Sequence, residues 1–325
     1  MMKARSEPSA AGRAGNGDAV IEAAWLYYHD GLNQSAVADR LGVSRATVVN
    51  YLQEARERGL VRVSLADEPF VRHRLALDLV ERFGLKAAYV VPTARDGDEA
   101  EALRRVARGA AQWLPSLLAP GDILGVAWGR TVFEVGDLLE QTAIPDLTVV
   151  QLTGSMASPY GFTAEICSAR LAQRLGATCI NLHVPALLSS ARLAEELRRE
   201  PIIAEQLAAL GRCNKALFAA GSCTPDSHIV GAGIATQADL DAYIRAGARG
   251  VLSGRFIDGQ GRAVHGRLEP RMMGIDVDAL RAIPTGILVS VGAEKVVPML
   301  ATLRGGFATH CVTDAATAEG ILATA

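Results

Sequence analysis

A chain of 325 residues, half of them apolar and carrying a net charge of −2, has length for about two domains and ample material for a large buried core. The near-neutral balance excludes a non-specific polyanion binder, so any nucleic-acid contact has to be local. No apolar run reaches the roughly 18 residues that a membrane helix needs, which predicts no membrane partner and a cytoplasmic site of action.

Residues 1–17, MMKARSEPSAAGRAGNG, have charges but no apolar core. They are expected to form a disordered tail rather than a secretory signal. Residues 18–31, DAVIEAAWLYYHDG, predict an amphipathic helix closed by Gly31, with Ile21, Ala24, Trp25 and Tyr28 on the inward side. The cluster Trp25, Tyr27 and Tyr28 reads as core, with direct DNA contact as the alternative.

Residues 33–65, NQSAVADRLGVSRATVVNYLQEARERGLVRVSL, read as helix, tight turn, second helix and short strand. Val37, Leu41, Val43, Val48 and Leu52 supply an apolar face. Ala38 is small where two helices cross, Gly42 sits at the turn, and Ser44 caps the second helix. This is the pattern of a helix-turn-helix, whose second helix enters the DNA major groove. With Val48, Tyr51, Leu52 and Ala55 inward, Arg45, Ala46, Val49, Asn50 and Gln53 face outward. Together with Ser44 they are the candidate DNA-binding residues. Arg45 suits a guanine edge, and Asn50 or Gln53 an adenine. The stretch holds five arginines against three carboxylates, an excess of only +2. That makes few phosphate contacts, so tight binding is expected to need an oligomer.

ADEP marks a boundary, and residues 70–83 predict a linker helix ending at Gly84. The expected organisation is therefore a tail over 1–17, a DNA-binding domain over 18–66, a linker over 67–84 and a second domain over 85–325. From residue 85 short apolar runs alternate with helical stretches. The runs are KAAYVVP, DILGVAWG, LTVVQLTG, ATCINLHVPAL, KALFAAGS, GVLSGRFID, GILVSVGA and HCVTD. Continuous apolar strands separated by helices predict an α/β, mostly parallel sheet covered on both faces. Ligands of such sheets bind at the carboxyl ends of the strands.

Two strand ends stand out. In GVAWGRT a strand runs through Gly129 into a helix start, where free backbone N–H groups and Thr131 offer donors to an anion. Arg130 stands there against the helix dipole, which suggests a bound anion; a surface arginine in an ordinary loop is the alternative. In VGAEK, Lys295 is placed the same way. Gln151, Thr153, Gly154, Ser155, Asp258, Thr313 and Asp314 are further polar strand-end residues, each also explicable as a helix cap or turn. The cysteines Cys167, Cys179, Cys213, Cys223 and Cys311 have no metal-ligand spacing and read as buried thiols. The histidines are dispersed; His183, within an apolar run, reads as a core residue. No Walker loop, nucleophile elbow or full dinucleotide fingerprint is present, and no cofactor or metal is expected.

The order of these motifs resembles the SorC family of bacterial transcriptional regulators. It is carried by the N-terminal helix-turn-helix, GVAWGRT, VVQLTGS, EICSARLAQRLGA, LHVPAL, VGAGI, GVLSGRFIDGQG and VGAEK…LRGGF…CVTDAATAEGIL. The resemblance covers about residues 18–325. It implies a winged helix-turn-helix followed by a Rossmann-like, doubly wound effector domain similar to sugar-phosphate isomerases. It also implies control of carbohydrate or polyol genes by a sugar, polyol or sugar-phosphate, and homodimers or homotetramers on double-stranded operator DNA. The matching effector positions are Gly129, Arg130, Thr131, Gln151, Gly154, Ser155, Asp258 and Lys295. No lysine near 151–156 could form a Schiff base, so a non-covalently held ligand is expected. The rival is a sugar-phosphate isomerase or deaminase with a DNA-binding appendage. It would need a general base, for which Asp258 is the one candidate; a regulator without enzymatic activity is the leading expectation.

Overall fold

The computed structural model describes residues 16–61, 63, 65–94, 97–157 and 159–325. The predicted tail falls outside these up to residue 15, and its last two residues, 16 and 17, are helical. The chain divides into two compact units, Met1–Leu65 and Ala66–Ala325.

In the first unit α1 (Asn16–Ala24) continues through a π-type turn, Trp25–His29. α2 (Gln34–Leu41) and α3 (Arg45–Glu57) follow. Local chemistry sets the ends. The Asn33 side chain accepts from the N–H groups of Ser35 and Ala36, and Gly42 closes α2 with φ +66°. The Ser44 hydroxyl accepts from the Thr47 N–H. Left-handed backbone at Gly42 costs nothing without a Cβ, and the two caps satisfy N–H groups that a helix start leaves unpaired. Ala23, Leu26, Val37, Ala38, Val48 and Leu52 form one core; Val20, Ala24 and Ala55 form another.

Two expectations fail here. Ile21 and Trp25 are 51% and 56% exposed, and Tyr28 is exposed as well. Residues 20–28 are apolar or aromatic at every position but Glu22, so two faces compete. Val20, Ala23 and Leu26 win because Ala23 and Ala24 let neighbouring helices approach closely. The strand expected after α3 is not formed by Val61, Val63 or Leu65; Arg62 and Ser64 lie outside the described residues.

In the second unit the predicted helix 70–83 is two, Glu68–Val71 and Arg74–Phe83, the latter capped by the His73 ring. Both lie on the first strand: Phe70 stacks on Tyr89 at 4.9 Å between ring centroids, and Ala76 and Leu79 join its core. The strands are β1 (Ala87–Val91), β2 (Ile123–Val126), β3 (Thr148–Gln151), β4 (Thr178–Ile180), β5 (Lys215–Phe218), β6 (Ala248–Leu252), β7 (Arg255–Asp258), β8 (Thr285–Val289) and β9 (His310–Asp314). Seven make one sheet in the order β1-β9-β8-β5-β2-β3-β4, every pair parallel. Alternate residues feed opposite faces. Ala216, Phe218, Leu288 and Cys311 enter one core, while Leu217, Ile287, Val289 and Val312 enter the other. Burial on both faces is why these strands read as unbroken apolar runs.

GVLSGRFID, expected as one strand, is the antiparallel hairpin of β6 and β7, separate from the main sheet. Ser253 and Gly254 turn it, with φ of +48° and +84°, the left-handed pair that a two-residue hairpin requires. From β2 the chain builds outward through β3 and β4, and from β5 it builds the other way through β8 to β9, which pairs on its far side with the first strand, β1. The direction reverses between β2 and β5, where a crevice opens at the carboxyl ends of the strands.

Candidate functional site

On the first unit, Arg45, Ala46, Val49, Asn50 and Gln53 are exposed along one side of α3, while Val48, Leu52 and Ala55 are buried. Ser44 is occupied as the cap, its hydroxyl 2.8 Å from that of Thr47. Gln53 donates to Glu57 at 2.9 Å. The Arg45 Nε donates to the Gln34 Oε1 at 3.3 Å. Its partner there is neutral, so the guanidinium charge is not cancelled.

On the second unit a cavity of about 610 Å³ opens in the crevice, a size suited to a small molecule. Five parallel strands deliver its wall from their carboxyl ends. Thr93 follows β1; Trp128, Gly129, Arg130 and Thr131 follow β2; Gly221, Ser222, Asp226 and His228 follow β5. Glu294 and Lys295 follow β8, and Asp314 ends β9. Ser253 reaches it from the hairpin turn. Arg130 begins the helix Arg130–Leu138, whose N-cap Gly129 has no side chain to occupy the free N–H groups. Lys295 ends a single 3-10 turn, Ala293–Lys295, and is the residue before the helix Val296–Arg304. Its ammonium donates to the Ser222 hydroxyl at 3.3 Å and lies 3.8 Å from the Glu294 carboxylate. Burial lowers the Lys295 pKa from its usual value, against the pull of Glu294 and Asp226. His228 is lowered too, by burial first and then by the Lys295 and Arg130 charges. Asp226 is lowered, chiefly by a hydrogen bond from Thr224. Aromatic rings flank this side: His228 lies 4.6 Å from Tyr160 and 6.5 Å from Trp128 between ring centroids.

Four of the eight effector positions expected from the sequence line the cavity: Gly129, Arg130, Thr131 and Lys295. The other four do not. Gln151 is fully buried; its amide donates to the Thr153 carbonyl and accepts from the Leu182 N–H. Gly154 is a close-approach position, where a Cβ would stand 2.6 Å from the Val184 carbonyl oxygen. Ser155 pairs through its backbone with Val184 and Ala186. Two segments seal the end of β3 that the sequence left open: residues 182–186, through the contacts just given, and residues 273–275, where the Gly154 N–H donates to Met273 and the Ile275 N–H donates to Leu152. Asp258 accepts from the N–H groups of Gln260 and Arg262 and from the Arg262 guanidinium, so it is a turn residue outside the cavity.

The sequence reading missed Ser222, Asp226, His228, Ser253 and Glu294. The polar run SCTPDSH directly after the strand KALFAAG was the signal for the first three. His183 is exposed rather than core. Cys167, Cys213 and Cys311 are buried thiols as expected, but Cys179 and Cys223 are only partly covered.

The comparisons agree with this architecture. The Sugar-bind family profile, a sugar-binding domain, matches residues 67–323, and a MarR family profile matches residues 23–68. The chain is 38% identical to the transcriptional regulator YjhU of Escherichia coli K12 over 95% of each chain. It is 31% identical to the transcriptional regulator LsrR of Klebsiella pneumoniae, over 94% of this chain and 93% of that one. The full-length sorbitol operon regulator SorC of Klebsiella pneumoniae superposes with a TM-score of 0.76 at 25% identity, over 95% of this chain and all of the other. A sugar-binding profile across most of the chain, joined to a helix-turn-helix and shared end to end with these regulators, shows that the chain belongs to the SorC family of sugar-binding transcriptional regulators.

Proposed function

We propose that this protein is a cytoplasmic, DNA-binding transcriptional regulator of carbohydrate or polyol genes, controlled by a sugar or sugar-phosphate bound in the cavity. The observation that carries this reading is the meeting of Arg130 and Lys295 at one 610 Å³ pocket, in a chain whose other unit exposes a recognition helix. Two cations beside an uncapped helix start suit an acidic group, and the aromatic flank suits the C–H face of a sugar. Ligand binding would shift the equilibrium between arrangements of a homo-oligomer and so the spacing of its recognition helices. Such coupling is typically worth about 1–3 kcal/mol.

Asp258, the general base expected for the rival enzyme, lies outside the cavity and is held in a turn, while Asp226, His228 and Glu294 line it, so turnover is the deciding test between the two readings. Incubating the protein with pentose and hexose phosphates is expected to raise its melting temperature with at least one of them and to give no turnover. Turnover, or a panel with no thermal shift, would count against this function.

His228 supplies a pH test. In the unliganded protein its lowered pKa means that the native state binds fewer protons than the unfolded chain just below about pH 6.5, so stability falls as pH drops through that window. An anion beside Arg130 and Lys295 opposes that depression, and binding then takes up a proton. Affinity for a sugar phosphate is expected to rise from pH 8 to pH 6. His228→Asn should flatten this relative to the parent, a comparison that cancels the phosphate's own titration. Equal pH profiles for the two proteins would remove His228 from the site.

A further inference from the structure

One stretch of the cavity wall has a second layer of rings behind it. Trp128 and His228 line the cavity, whereas Tyr160 and Phe162, from the segment after β3, do not. The four rings nevertheless form one cluster. His228 lies 4.6 Å from Tyr160 and 5.7 Å from Phe162 between centroids, the second contact edge-on. Tyr160 stacks on Phe162 at 5.6 Å, and Phe162 lies 6.5 Å from Trp128. These separations are those of packed aromatic pairs. The segment after β3, expected from the sequence to touch the effector through Gly154 and Ser155, therefore meets the site one layer out.

Gly231 shows how closely Tyr160 is seated. It ends the helical turn His228–Gly231, which begins with the imidazole. Its φ is not left-handed, so the backbone does not call for glycine, and alanine is ordinarily the better helix residue. The space does call for it. A Cβ there would overlap the Tyr160 hydroxyl and stand 2.7 Å from its Cζ. The Tyr160 ring is thus lodged against both ends of one helical turn. The first glycine of VGAGI thereby has a role outside the cavity lining.

We propose that Tyr160 is a positioning residue of the effector site: its ring, lodged between His228 and Gly231, holds the His228 imidazole at the cavity wall for the ligand's acidic group. This rests on the reading of the cavity as the effector site. The groups acting on the imidazole come from several elements. Burial opposes its protonation most, followed by the charges of Lys295 after β8 and Arg130 after β2, while Asp226 in its own loop favours it. Tyr160, Phe162 and Trp128 supply the ring surface behind that burial. Removing Tyr160 admits water to the imidazole and releases its charged form.

Proton NMR of the full chain tests this, with the His228 resonance identified by its loss in His228→Asn. In unliganded Tyr160→Ala the His228 midpoint should rise toward its ordinary 6.5. Gly231→Ala should raise it too, by displacing the same ring from the other side. Tyr160→Phe keeps the ring and should titrate like the parent. His310 is the control. It packs against Trp113 at the start of β9, with burial lowering its pKa to about 4, and a general loosening would raise it as well. Calorimetric titration with D-ribose 5-phosphate and D-glucitol 6-phosphate gives the second readout. Tyr160→Ala and Gly231→Ala should each weaken the tighter ligand by about 3- to 10-fold, the range for one hydrogen bond. An unchanged His228 midpoint in both variants, a midpoint that moves only together with that of His310, or unchanged ligand affinity overturns the role of Tyr160 while the pocket reading stands. So does a Tyr160→Phe midpoint that moves as far as that of Tyr160→Ala. A parent that binds neither sugar phosphate overturns the pocket reading, and the role of Tyr160 with it.

Discussion

Lys295→Ala is expected to raise the effector concentration at which the operator complex responds by about 10- to 150-fold, corresponding to about 1.5–3 kcal/mol for a hydrogen bond to a charged group. The ammonium stands at the cavity wall with modest internal partners. The Ser222 hydroxyl is at 3.3 Å, and Glu294, at 3.8 Å, is itself 46% exposed. Burial already disfavours the charge on Lys295, and neither partner compensates as a bidentate, desolvated carboxylate would. An anionic ligand would complete the site. The alternative is that Lys295 serves Glu294 alone, in which case its loss changes little, because partly exposed ion pairs contribute little. The variant should fold and bind operator like the parent, since Lys295 belongs to the second unit and the recognition helix to the first. Titrating the sugar phosphate that gives the largest thermal shift against the operator complex of both proteins decides the matter. An unchanged midpoint takes Lys295 out of the site.

The parts legible in the sequence are those where local chemistry dictates geometry. Gly42 and Ser44 mark the helix-turn-helix because left-handed backbone and an N-cap each demand particular residue types. The apolar runs mark the sheet because strands buried on both faces have no polar alternation to hide them. Arg130 and Lys295 were legible for the same reason: a cation at a strand–helix junction is locally unfavourable. The failures come from contacts between segments far apart in the chain. Nothing near Gln151 or Gly154 shows that residues 273–275 will pair with the backbone at 152–154 and help close that strand end. Asp258 looked like a strand-end ligand because GVLSGRFID was read without its turn. A serine at the left-handed position disguises a hairpin that asparagine or glycine would have announced. His228 and Asp226 sit in a loop, where no periodicity fixes side-chain direction. Trp25 and Tyr28 were assigned to the core because an almost wholly apolar helix offers two faces, and packing against α3 chooses between them.

Arg45→Ala is expected to weaken binding to a two-half-site operator by about 2–6 kcal/mol, because each copy of a proposed dimer loses one guanine contact worth about 1–3 kcal/mol. The geometry favours base reading over a phosphate contact. Arg45 is the first residue of α3, the end of a recognition helix that approaches base edges. Its Nε is held by the Gln34 side chain at 3.3 Å. Gln34 is neutral, so it orients the guanidinium without cancelling its charge, and it leaves the two terminal nitrogens free to fork onto guanine O6 and N7. Part of the side-chain entropy that an arginine loses on binding is then lost before DNA arrives. Sites selected from random duplexes should carry guanine at one fixed position in each half-site for the parent. Arg45→Ala should lose that preference alone, and Gln34→Ala should relax it at the same position. Because the contact is to a base, the slope of log affinity against log salt should stay near the parent's, whereas loss of a phosphate contact would reduce it by about one per site. An unchanged selected sequence for Arg45→Ala, or a fall in salt slope with specificity intact, would move Arg45 from the bases to the backbone.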